Sequence, residues 1–178
     1  MQRRSAIKNL MIIAGGIAIL PSCAKDKEKG KASIQLNNLN IDAEQEKLLA
    51  EVSEAFIPTT DTPGAKALNL HLFVLKMVDD CHDKTDQEGF VAGLSELEKL
   101  SEKRFDKSFV NCSVKERGEI LKDIENSKNP SGKVFQFYKI AKDRTIQGYL
   151  NSKYVMTELI PYELVPGRYN GYFPVKKS

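Results

Sequence analysis

Apolar residues between positions 42 and 151 recur at helical spacing in five separate stretches. Two stretches begin with a capping box, formed by Asp42 with Gln45 and by Ser113 with Glu116. A cluster of turn residues around Pro58 separates the first two stretches. The pattern predicts an all-α fold, a compact bundle of about five helices. The predicted helices run over about Asp42–Phe56, Ala65–Asp80, Asp86–Lys103, Ser113–Asn126 and Val134–Asn151.

The second predicted helix is apolar on nearly every side, which indicates a central position in the bundle. The fifth helix is the richest in aromatic residues, and we expect it to pair with the second to form the core. The side chains expected to be buried are Phe56, Leu72, Phe73, Leu75, Val78, Leu94, Leu97, Leu121, Phe137, Ile140 and Tyr149.

Residues 153–178 form an irregular aromatic tail. The tail shows no apolar period, and Pro161, Pro166 and Pro174 exclude a long helix. Its aromatic content is too high for a disordered segment. The tail therefore either packs on the bundle or offers its rings to another protein, and the sequence leaves both alternatives open.

Residues 1–23 have the form of an export signal with a lipobox. Arg3 and Arg4 precede an uncharged apolar run, Leu10–Leu20, and a small residue is followed by Cys23. The run spans about 16 Å as a helix, roughly half of a ~30 Å bilayer core, so a permanent membrane span is not expected. Adjacent arginines resemble the twin-arginine signal, and Cys23 is the expected site of lipidation. An ordinary secretory signal is the alternative. We expect an exported lipoprotein on the periplasmic side of the membrane.

The mature chain is electrically neutral. The sequence has 27 basic and 24 acidic residues, and three of the basic residues, Arg3, Arg4 and Lys8, lie in the leader. This balance gives no basis for nucleic-acid binding. Residues 24–40 are polar and are predicted to form a flexible tether, followed by a single helical domain over 41–178 that includes the tail.

The sequence contains none of the usual signatures of a catalytic, cofactor or metal site. The acidic residues between Asp79 and Asp86, with His82, do not follow the spacing of a calcium loop, and we interpret them as a polar loop. Cys81 and Cys112 allow a disulfide in an exported protein but also fit two independent buried thiols. We therefore predict no catalytic, cofactor or metal residue in this chain.

Three segments together resemble a known family. The segment Leu48–Ala65 resembles the opening of the gluconate 2-dehydrogenase subunit 3 family, and its most specific part is the block Ile57–Ala65, with the letters IPTTDTPGA. Gly148–Ser152 is similar to the glycine-tyrosine motif that ends the family's last helix, and Val165–Gly171 is similar to its closing proline-glycine turn.

The resemblance implies a small non-catalytic subunit of a flavin-dependent dehydrogenase of the glucose-methanol-choline type. The large flavoprotein would hold FAD, and a cytochrome c subunit with haem c often completes such complexes. Twin-arginine export carries folded proteins. This chain has no cofactor motif of its own. Its leader therefore fits a protein that escorts a partner lacking a leader.

We expect the partner surface on two loop segments, where recognition residues are most often found. The predicted surface consists of Pro58, Asp61, Pro63, Gly64, Tyr154, Tyr169 and Tyr172. The alternative functions are a free-standing surface lipoprotein with a binding role and an enzyme whose site lacks the usual signatures.

Overall fold

The computed structural model describes residues 30–127, 131–160, 167, 170–172 and 174. Backbone contacts divide the chain into Met1–Gly30 and Lys31–Ser178, and the helices belong to the second unit. In the described residues the regular structure is helical without strands, which confirms the all-α prediction. The α-helices are α1 (Ala43–Phe56), α2 (Leu70–Cys81), α3 (Lys84–Phe105), α4 (Val114–Glu125) and α5 (Lys133–Leu150). A 3-10 turn, Phe109–Asn111, precedes α4, and a π-turn, Val155–Leu159, follows α5.

Local capping sets most of the helix starts. Both predicted capping boxes are present, at Asp42 for α1 and at Ser113 for α4. Helix α3 begins two residues before the predicted start, because the Asp83 carboxylate accepts the backbone N–H of Asp86 at 2.8 Å. It ends where Asp106 adopts a left-handed backbone conformation, with φ of 53°.

The prediction for α2 was wrong at its N-terminus. The helix starts at Leu70 rather than near Ala65, because Asn69 adopts a left-handed conformation with φ of 53° and interrupts the helical path. Residues 65–69 form turns instead. The Ala65 N–H donates to the carbonyl of Ile57 at 2.8 Å, so this segment continues the preceding loop.

Helix α5 packs most extensively against α3, and α2 is its second partner, so the expected α2–α5 pairing is only part of the core. Gly93 explains the close approach of α3 and α5. A Cβ atom at Gly93 would lie 2.4 Å from the Lys133 carbonyl oxygen and 2.4 Å from the Phe137 Cβ. Close packing of two helix backbones at this point therefore requires glycine.

Six of the side chains expected in the core are buried: Leu75, Val78, Leu94, Leu97, Leu121 and Phe137. The other five, Phe56, Leu72, Phe73, Ile140 and Tyr149, are only partly buried, and that part of the prediction was wrong. Phe56 and Ile140 pack at the edge of the core. The Phe73 ring covers Gly148 on the neighbouring helix, where its Cδ1 lies 2.7 Å from the position of a Cβ.

The segment Lys31–Ile41, here called the strap, lies against the helices. Leu39 and Ile41 are buried in the main core, and Ile34 and Leu36 pack against it. The sequence predicted a tether over 24–40, but the structure places the strap in the helical unit, which begins at Lys31. Leu39 and Ile41 do not follow a helical period, and the polar residues around them led to the prediction of a tether.

Candidate functional site

The loop between α1 and α2 contains the block Ile57–Ala65, here called the motif turn, and is built around Glu54. The Glu54 Oε1 accepts hydrogen bonds from the Thr59 backbone N–H at 2.8 Å and from the Thr59 hydroxyl at 2.7 Å. Its Oε2 accepts the backbone N–H of Lys66 at 2.8 Å. One carboxylate therefore holds both ends of the motif turn.

The charge of Glu54 is favoured by these contacts. Burial by itself raises the pKa of a carboxyl group, but the hydrogen bonds from Lys66 and Thr59 more than offset burial and leave the Glu54 pKa below its usual value. Glu54 is consequently ionised at neutral pH. An ionised carboxylate accepts stronger hydrogen bonds than a neutral carboxyl group.

A second carboxylate, Glu51, joins the motif turn to α4. It accepts from the Lys66 ammonium at 2.7 Å and from the Arg117 guanidinium at 2.6 Å. Arg117 also donates to the Phe109 carbonyl at 3.0 Å. Burial raises the Glu51 pKa. The hydrogen bonds and charges of Lys66 and Arg117 together lower it by more, so the net shift is downward. Glu51 on α1 thus links Lys66, directly after the motif turn, to Arg117 on α4.

The residues of the motif turn predicted to face a partner divide into two groups. Pro58 and Asp61 are exposed at its tip, and Pro63 is half-buried. Gly64 is buried, and a Cβ there would lie 2.4 Å from the Thr59 nitrogen. Glycine is required at this position by the fold of the turn itself, so Gly64 contributes to the surface only by shaping it.

The tail residues differ in accessibility. Tyr172 is 96% exposed, whereas Tyr154 is half-buried beside the π-turn. Tyr169 lies outside the described residues.

Four exposed apolar side chains in the last turns of α5 and at the end of the π-turn were not predicted from the sequence. Ile146 and Leu150, one helical turn apart, are 40% and 53% exposed, and Leu159 and Ile160 are each 51% exposed. Ile146 and Leu150 belong to the apolar pattern of α5. Periodicity alone does not tell which face of that helix its neighbours leave exposed.

The acidic residues around the α2–α3 junction have separate structural roles. Asp79 binds the strap, Asp83 caps α3, and Asp80 pairs with Lys76 at 3.2 Å. The His82 ring lies between Asp86, at 3.0 Å from Nδ1, and the Arg144 Nε, at 3.2 Å from Nε2. No group of three or more metal-ligating side chains comes together in the described part of the chain.

The second histidine, His71, lies near Glu46, with its Nε2 3.9 Å from Oε1. Burial lowers the His71 pKa, and the nearby Glu46 carboxylate only partly offsets this effect. Because the neutral ring is favoured and its Nδ1 has no hydrogen-bond partner in the described residues, His71 is a packed histidine.

A family model described as gluconate 2-dehydrogenase subunit 3 matches residues 43–167. The chain belongs to this family. The match includes the motif turn and all five α-helices, and it begins directly after the strap. Searches of curated proteins and of solved structures give no match.

In this subunit 3 family member, Cys81 and Cys112 are both free thiols. Cys81 is exposed at the end of α2, whereas Cys112 is buried with its Sγ 3.2 Å from the Ser101 hydroxyl. The expectation that both thiols are buried was wrong for Cys81, which lies at the exposed C-terminal end of α2.

The export signal, Arg3 and Arg4, and the lipidation site, Cys23, lie outside the described residues. Among the helices that the structure describes, none is both long enough and apolar enough to cross a bilayer.

Proposed function

We propose that this protein is the non-catalytic small subunit of an exported flavin-dependent sugar or sugar-acid dehydrogenase. The large subunit, of the glucose-methanol-choline type, holds FAD, and a cytochrome subunit with haem c can complete the complex. Membership of the subunit 3 family carries this proposal, because the family's description places it in a dehydrogenase complex.

The small subunit assists the maturation and twin-arginine export of the large one, and lipid on Cys23 attaches the complex to the membrane. The leader residues Arg3, Arg4 and Cys23 support this part of the proposal. In this scheme the substrate and the redox chemistry belong to the large subunit.

The motif turn is well suited to present a docking surface. Its backbone is held by Glu54 and Glu51, so little conformational entropy is lost when Pro58 and Asp61 meet a partner. The exposed ring of Tyr172 fits the same role, since aromatic residues are enriched at protein interfaces.

Affinity purification of the tagged protein from membranes tests the function. We expect a large protein with the absorption and fluorescence of bound flavin to co-purify. Recovery of the small subunit alone, at a yield that rules out loss of a partner during washing, would contradict the proposed complex and favour a free-standing lipoprotein.

Substitutions at the tip of the motif turn and in the tail test the position of the docking surface. Asp61→Ala and Tyr172→Ala should each weaken co-purification of the flavoprotein and leave the melting temperature of the isolated subunit unchanged, because both side chains are exposed. Val114→Ala, at a residue that is 79% exposed on α4, is the matched control. Equal flavoprotein yield from all three variants would exclude the tip and Tyr172 as the docking surface.

A further inference from the structure

The strap is attached to the helices by side-chain carboxylates rather than by backbone pairing. In the described part of the chain its backbone joins the rest through one isolated bridge, between Lys31 and Asp42. The backbone N–H groups of Asn37, Asn38 and Leu39 donate instead to the Asp79 carboxylate, at 2.9, 2.7 and 2.8 Å. A single side chain on α2 thus binds three consecutive peptide groups.

The side chain of Asp79 is completely buried, so these hydrogen bonds lie out of water. The Asn38 side-chain amide adds a bond to the Asp79 carbonyl at 2.8 Å. The nearest cation is Lys76 on the same helix, with its ammonium 3.7 Å from Oδ2, and α3 contributes the neutral Gln87 amide to the Asp79 carbonyl. A buried carboxylate with these donors is costly to leave unpaired, which favours the bound strap.

The other end of the strap is bound in the same manner. Glu46 on α1 accepts the Ser33 backbone N–H and the Ser33 hydroxyl, each at 2.6 Å. Burial alternates over residues 31–36. The partly buried residues are Ala32, Ile34 and Leu36, and the exposed ones are Lys31, Ser33 and Gln35. This alternation is that of an extended segment with one face on the domain.

We propose that the strap, held by Asp79, sets the length of the free linker between the lipidated N-terminus and the helical domain. This inference rests on the proposed membrane attachment through Cys23. With the strap bound, residues 24–30 separate Cys23 from the domain and span at most about 25 Å at ~3.6 Å per residue. Without the attachment of the strap, residues 24–41 would span at most about 65 Å at the same rise.

The linker length decides where the domain and its bound partner can be relative to the bilayer. A short linker keeps the subunit next to the membrane, where a membrane-bound electron acceptor would be within reach of the flavoprotein. The strap lies outside the family match, which begins at residue 43.

Hydrogen exchange of the full-length protein in detergent, measured by mass spectrometry, tests the strap. In Asp79→Asn we expect peptides over 31–41 to exchange at least about tenfold faster than in the unsubstituted protein and to remain less protected than α5, as in local opening. Asp80→Asn is the matched control, because Asp80 is the next residue, is exposed and pairs with Lys76 instead. Unchanged protection of 31–41 in Asp79→Asn would overturn the proposal.

If the strap and α5 become equally protected in Asp79→Asn, the two open together, and Glu46→Gln then decides. That substitution removes the acceptor of Ser33 and should speed exchange over 31–36 without affecting α5. Full protection of 31–36 in Glu46→Gln would contradict a strap held by carboxylates.

Energy transfer tests the linker length in vesicles carrying the lipidated protein. A donor dye on the exposed Cys81 and an acceptor dye on the lipid headgroups should show less transfer in Asp79→Asn than in Asp80→Asn. Equal transfer in the two variants would overturn the role of the strap in linker length. No transfer in any variant would contradict the proposed membrane attachment, whereas the exchange experiment would still decide whether Asp79 holds the strap.

Discussion

At the scale of single residues, carboxylates bind the backbone of segments that are not helical. Glu54 holds the motif turn, Asp79 holds the strap, and both accept backbone N–H groups from segments outside the α-helices. The donors come from residues up to 42 positions away in the chain, so no local pattern announces the role of Asp79.

Asp79 should make the stability of the domain depend on acid. Burial alone raises its pKa, but the N–H groups of Asn37, Asn38 and Leu39, aided by Lys76, bring the pKa below its ordinary value of 3.8. A lowered pKa in the folded state contributes stability at pH values above 3.8, and this contribution is lost as the pH falls through the folded-state pKa.

Asp79→Asn should therefore lower the free energy of unfolding by about 1.5–3 kcal/mol at pH 7, the usual range for hydrogen bonds to a charged group. The loss relative to the unsubstituted protein should shrink as the pH is lowered below 3.8. Urea denaturation at pH 7 and at successively lower pH measures both effects. An equal loss at every pH would assign the effect to packing rather than to the charge.

At the scale of helices, glycine decides how closely two of them approach. Gly93→Ala should destabilise the domain by about 1–3 kcal/mol, the usual cost of overpacking, because its Cβ would meet the Lys133 carbonyl. Gly118→Ala on α4 is the matched control, since nothing lies within 4 Å of its Cβ position. It should stabilise by up to about 1 kcal/mol through helix propensity. Urea denaturation of both variants gives the comparison, and equal midpoints would contradict the close α3–α5 contact.

The centre of the core can be tested at Phe137, whose side chain is fully buried and lies 5.0 Å, centroid to centroid, from the Phe90 ring. Phe137→Ala should lower the free energy of unfolding by about 3–5 kcal/mol. Phe135→Ala, two residues earlier and only partly buried, should cost clearly less. A loss below about 1 kcal/mol for Phe137→Ala would be a surface value and would contradict its position.

At the scale of the whole molecule, we expect residues 1–23 to determine where the domain acts. Cys23→Ala should release the protein from membranes, because lipid chains contribute about 0.8 kcal/mol per buried CH₂ and the described helices include no membrane span. Fractionation and immunoblotting measure the release. Retention of the variant in the membrane fraction would contradict attachment by lipid.

The two leader arginines should act as a pair. Replacing Arg3 and Arg4 together by lysine keeps the charge but removes the guanidinium groups, and should block export through the twin-arginine route. Comparing periplasmic and cytoplasmic fractions measures this effect. Normal export of the double variant would indicate the general secretory route.

The sequence by itself determined the elements that depend on near neighbours. The starts of α1 and α4 follow from capping boxes within four residues, and the ends of α1, α4 and α5 were predicted to within a residue. The motif turn was recognised as a unit because its residues are contiguous, although the carboxylate that holds it lies on the preceding helix.

Only the tertiary structure decided which surfaces meet. The pairing of α3 with α5 depends on the missing side chain of Gly93, and the burial of Leu39 depends on Asp79, 40 residues away. The exposure of Ile146 and Leu150 depends on which face of α5 its neighbours leave uncovered. Helical periodicity and capping act over a few residues along the chain, whereas burial depends on atoms brought together from distant positions.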